Sequence, residues 1–119
     1  MARYLLLLHP DGLNLLDLPP AEKQALFDRF VAWSESLKSR GSLLGVESLM
    51  DDGGKTVRKK KDHVVVDGPY AEMKEVVSGL FVVEAPDDAA AQRLAAECPL
   101  LDLGGAVEVR IIAPFPVRP

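Results

Sequence analysis

Nine residues, Asp67-Gly68-Pro69-Tyr70-Ala71-Glu72-Met73-Lys74-Glu75, stand between two apolar runs, Val64 to Val66 and Leu80 to Val83. A Gly-Pro pair stops any regular element, because glycine accepts almost any φ while proline lacks an N–H and restricts the residue before it. The chain must therefore leave one strand, pass through a stiffened loop rich in ionisable side chains, and enter another. That sequence of events fixes the middle of the fold and marks where a ligand would meet polar groups.

The flanking elements follow from period and punctuation. Tyr4 to Leu8 is a short apolar run closed by His9-Pro10-Asp11-Gly12, which predicts a first strand. Leu13 to Leu18 reads as loop. Pro19-Pro20 then suits a helix start, and from Ala21 to about Arg40 the residues Leu26, Phe30, Trp33 and Leu37 recur at steps of four, three and four. Gly41 is the natural stop. Leu43 to Met50 predicts a second strand, with Asp51-Asp52-Gly53-Gly54 a tight turn of the kind that joins paired strands. Thr56 to Lys61 and His63 to Val66 form an extended arm leading into the Gly-Pro loop. Gly79 to Glu84 is a strand, Pro86-Asp87 opens a second helix with Asp87 or Asp88 as cap, and Pro99 ends it. A Gly104-Gly105 turn leads to a last strand, Val107 to Ile112.

The order condenses to βαββαβ, an α+β, ferredoxin-like arrangement with an antiparallel sheet and both helices on one face. Residues 1–119 fit one domain by size. The strands present apolar groups to both sides, and two helices cover only one. A second subunit is the simplest cover for the other, so the sequence predicts a homodimer through the sheet face, with a cleft beside the Gly-Pro loop.

Composition narrows the function classes. Hydrophobic residues make up 48% and charged ones 27%, which excludes a disordered chain, and the net charge of −4 argues against an obligate nucleic-acid partner. The apolar run at the N-terminus is too short for a signal-peptide core or a membrane span, and the single Cys98 allows no internal disulfide. The expected location is cytoplasmic. Metal-ligand spacings, nucleophile motifs and phosphate loops are all missing, so no cofactor is expected.

The composite of motif and topology resembles the YCII-related family, and within it the DGPF-type branch. The pieces that carry the resemblance are Asp67-Gly68-Pro69-Tyr70-x-Glu72-x-Lys74-Glu75, with Tyr70 in place of the more usual Phe, together with Thr56-Val57-Arg58, Cys98-Pro99 and Glu108-Val109-Arg110. The resemblance implies a ferredoxin-like dimeric α/β barrel with a cleft at the subunit interface. It also implies an activity that is largely undefined, in proteins often encoded beside extracytoplasmic-function sigma factors. One departure stands out. A His-Asp pair proposed for the YCII branch has its His on the first helix, and Ala21 to Arg40 contains none. Only His9 and His63 offer imidazoles.

Asp67 is the candidate acid or base, and its competing role is an Asx-type turn that holds Gly68 and Pro69 in place. His9, at the end of the first strand, is the second catalytic candidate, because imidazole changes charge within the physiological range. Arg58, Tyr70, Glu72 and Lys74 are candidate ligand-binding residues: Arg58 reads as facing the Asp67 carboxylate, Tyr70 as ring packing, and Lys74 as an anion binder or one member of an ion-pair network with Glu72 and Glu75. Lys55, Arg58, Lys59, Lys60 and Lys61 concentrate five of the fourteen basic residues in seven positions. Without interleaved aromatics this run reads as a charged guard on an exposed strand edge. The function expected is a small-molecule enzyme or enzyme-like protein acting in the dimer cleft; the alternative is a non-catalytic ligand-binding or regulatory module tied to a sigma-factor response.

Overall fold

The computed structural model describes residues 1–50, 54–68 and 77–114. Among them the chain forms β1 (Ala2–His9), α1 (Pro20–Ser39), β2 (Leu43–Ser48), β3 (Thr56–Lys60), β4 (His63–Asp67), β5 (Gly79–Ala85), α2 (Asp88–Ala95) and β6 (Ala106–Ile111), with short 3-10 turns at Leu15–Asp17 and Pro99–Leu103. Four strands make an antiparallel sheet in the order β2-β5-β1-β6, and β3 and β4 make a separate two-stranded ribbon. Because β1 and β2 both run antiparallel to β5, they are parallel to each other, which requires the crossover that α1 supplies. α2 connects β5 to β6 in the same way. This is the α+β order expected, with the ribbon inserted between the second and third strands of the sheet.

Local chemistry accounts for the helix ends. Pro20 occupies the first turn of α1, where a missing N–H costs no helical bond. At the other end Gly41 sits at φ 72°, its N–H bonded to the Lys38 carbonyl while Ser42 N–H reaches the Leu37 carbonyl at 2.9 Å, the paired closure of a Schellman motif. Asp87 caps α2 by accepting from the Ala90 N–H at 2.8 Å. α2 stops at Ala95 rather than at Pro99, which instead opens the 3-10 turn, since a fixed φ suits the first position of either helix type.

The expected pairing across Asp51 to Gly54 does not occur. β2 pairs with β5, and β3 pairs with β4 around a Lys61-Asp62 turn in which Lys61 adopts φ 54°. β2 carries Leu43 and Val46, which belong beside the apolar β5, whereas β3 is too basic to bury in the sheet. Residues 51–53 of that turn lie outside the described residues. At the foot of the ribbon the strands close to a narrow waist: Gly68 has φ 121°, and a Cβ there would stand 2.7 Å from the Gly54 carbonyl oxygen. The radius of gyration is 16.4 Å, against about 13.5 Å for a compact chain of this length.

In β1 and β5 burial alternates although the sequence does not. Tyr4, Leu6 and Leu8 of β1 and Phe81, Val83 and Ala85 of β5 are buried beneath the helices, joined by Leu37, Ala91, Leu94 and Leu100. Trp33 packs its ring 4.3 Å from Phe81 and 6.2 Å from Phe30. Its Nε1–H is buried and has no hydrogen-bond partner among the described residues, which offsets part of what the ring contributes. Two ion pairs tie the periphery: Arg40 grips Glu97 through both guanidinium nitrogens, and Arg29 pairs with Asp102.

Candidate functional site

Strand register decides which side chains share the face opposite the helices. Leu5 lies across from Val82 and Arg110, Leu7 across from Leu80 and Glu108, and His9 across from Ala106. Directly opposed residues in an antiparallel pair point to the same side. The uncovered face is thus an apolar stripe of Leu5, Leu7, Leu80 and Val82, all half-buried, with His9, Glu108 and Arg110 along its β6 side.

These three polar groups are joined. His9 Nε2 stands 3.0 Å from Glu108 Oε1, and Arg110 donates to Glu108 Oε2 at 3.1 Å. The hydrogen bonds from His9 first, and then from Arg110, hold the Glu108 carboxyl below the usual carboxylate range. An ionised Glu108 is an acceptor only, so His9 presents Nε2–H to it and keeps Nδ1 as its basic nitrogen.

His9 was legible as a candidate in the sequence, but its partner was not. Glu108 and Arg110 entered only as part of a family-like piece, and 99 residues separate His9 from Glu108. The available signal was the alternation Val107-Glu108-Val109-Arg110, which sends the charged pair to the face opposite the core.

Asp67 ends β4, across from Thr56, with its Oδ2 3.8 Å from Arg58 Nε. The expected approach of Arg58 to this carboxylate is present, at ion-pair rather than hydrogen-bond distance. Both side chains are about half exposed, so the pair contributes at most about 1 kcal/mol. His9 and Asp67 stand on different sheets, each with its own partner. His63 lies at the tip of the ribbon across from Lys60, exposed. Tyr70, Glu72 and Lys74 lie outside the described residues.

A second feature was not foreseen. A groove of about 690 Å³ runs between α1 and the β2 side of the sheet, on the helix side, lined by Leu26, Phe27, Phe30 and Val31 with Val46 and Phe81 beneath. Lys23, Glu35 and Glu47 stand at its margin. Phe27, beside the stripe of Leu26, Phe30, Trp33 and Leu37 rather than on it, is 62% exposed there.

Cys98 is free and buried, and burial pushes its thiol up to about 11, which makes it a poor nucleophile. Among the described residues no group of three or more His, Cys, Asp or Glu is placed to hold a metal ion, and no helix is long and apolar enough to cross a membrane. A family model described as the YCII-related domain matches residues 2–116. No curated protein matches the chain.

Proposed function

The chain belongs to the YCII-related domain family, and from that footing we propose that it is a cytoplasmic small-molecule enzyme of the DGPF-type branch, a single domain working as a homodimer. The observation that carries this reading is the His9-Glu108-Arg110 chain on an apolar sheet face that no helix covers. Polar groups arranged to move a proton, set beside apolar surface that a second subunit would exclude from water, form the elements of a general acid-base site. Pairing two such faces gives a dimeric α/β barrel with one His9 from each protomer at the seam.

In this reading His9 accepts a proton from the ligand at Nδ1, Glu108 orients the ring, and Arg110 keeps Glu108 ionised. Asp67, with Arg58, serves as the further acid or base carried on the ribbon. Tyr70, Glu72 and Lys74 complete the ligand-binding loop. The buried, free Cys98 fits a reducing compartment.

The test pairs sedimentation with ligand-observed NMR against a library of small organic acids, using the wild type, His9→Asn, Glu108→Gln and Asp67→Asn. The wild type is expected to sediment as a dimer and to bind compounds that His9→Asn and Glu108→Gln lose while keeping wild-type circular dichroism. A stable monomer at micromolar concentration refutes the sheet-face dimer. Ligands indifferent to His9 refute the site, and ligands bound but recovered unchanged turn the reading to the non-catalytic binding module.

A further inference from the structure

The β3–β4 ribbon carries an apolar face that its own chain leaves uncovered. Val57 lies across from Val66, and Val64 across from Lys59, so the three valines share one side of the ribbon, and each is more than half exposed. An isolated two-stranded ribbon is marginal in water, and exposed valines on a projecting strand pair invite a partner. The body offers a surface of the same chemistry: the groove between α1 and β2, where Phe27, Val31 and Val46 are exposed, beside a strand that is at the sheet edge among the described residues.

Charge selects the occupant. Residues 54–68 hold five basic and two acidic side chains, while the rest of the chain holds nine basic and sixteen acidic. A net +3 ribbon and a net −7 remainder attract, and Glu35 stands at the groove margin where lysines flanking the valines would arrive. Gly54 and Gly68 bring the two strands close together at the foot of the ribbon, and the valine face is exposed.

We infer that the ribbon of one protomer docks in the α1–β2 groove of a second copy, with Val57, Val64 and Val66 against Phe27, Val31 and Val46 and the ribbon lysines beside Glu35. This rests on the self-association proposed above and adds a second, reciprocal contact to it. In a two-fold dimer both ribbons dock at once, so each contact is made twice.

The experiment mixes full-length Val64→Cys with full-length Val31→Cys and follows disulfide formation under mild oxidation on non-reducing gels. Native Cys98 is buried and does not compete. The mixture is expected to give a covalent dimer at least tenfold faster than Val64→Cys mixed with Leu101→Cys, a control that places the second thiol on the 3-10 turn. The rate should fall several-fold at 1 M salt, where the Debye length is about 3 Å. Circular dichroism of each variant checks that it folds. Equal rates in the two mixtures, with a wild type that sediments as a dimer, overturn ribbon exchange and leave the sheet-face dimer standing. A wild-type monomer overturns both. A monomeric intramolecular link in the Val31→Cys/Val64→Cys double variant overturns exchange in favour of docking within one chain.

Discussion

Gly105 is the position where a single methyl group tests the packing argument most directly. A Cβ built there meets Leu100 Cγ at 2.6 Å, Leu100 Cδ2 at 3.0 Å and the His9 carbonyl oxygen at 2.9 Å. None of these yields easily: Leu100 is fully buried, and the carbonyl belongs to β1, which is held by strands on both sides. Gly105→Ala is therefore overpacking rather than cavity formation, and should cost about 1–3 kcal/mol. For a chain of this size the melting temperature should fall by roughly 4–12 °C, read by circular dichroism at fixed protein concentration. Two companions separate the causes. Gly104→Ala has open space but φ 90°, so its cost of about 1–2 kcal/mol comes from the backbone alone. Leu100→Ala opens a cavity costing about 2–5 kcal/mol, yet in the double variant with Gly105→Ala the new methyl enters space that Leu100 has vacated. The two changes should then sum to at least 0.5 kcal/mol less than their separate effects. A Gly105→Ala variant within 0.5 kcal/mol of wild type, or strict additivity with Leu100→Ala, would refute the reasoning.

Asp87→Ala removes the acceptor for the Ala90 N–H and should destabilise by about 1 kcal/mol, measured by urea titration, with Asp87→Asn losing much less. Glu108 gives a pH signature. Its folded carboxyl lies below the ordinary range, so the stability it contributes is complete above the unfolded value of about 4.3 and is lost as pH falls through the folded one. Wild type and Glu108→Gln should thus differ in melting temperature at pH 6 and converge on acidification below about pH 4; a gap that persists to pH 2 would show that the carboxylate pairing is not the cause.

The elements that could be read in advance are those whose signals are local. Prolines and Gly41 mark both ends of α1, Asp87 caps α2 three residues before its N–H partner, and the Tyr4 to Leu8 run is bracketed by breakers. What stayed hidden depends on partners far along the chain. β2 was matched to β3 because a glycine turn lies between them, yet β5 offered it an apolar neighbour thirty residues on. The His9 partner needed the β1–β6 register, which no local pattern specifies. The groove was hidden for a different reason. Helix periodicity tells which side of α1 is apolar, but not how closely that side packs down on the sheet.

The position of β1 has a consequence for how this protein is made. It is the interior strand flanked by β5 and β6, so Leu5 must find Val82 and Arg110, and Ala2 must find Ala85. As the polypeptide leaves the ribosome, this apolar segment emerges well before either neighbour has been synthesised. At about 5–20 residues per second it waits several seconds for β5 and longer for β6. Contacts of such sequence separation also slow the search once synthesis ends. During that interval Tyr4 to Leu8 is a bare adhesive segment, so expression at lower temperature or with added chaperone should raise the soluble yield, and the catalytic candidate His9 acquires its carboxylate only after nearly the whole chain is out.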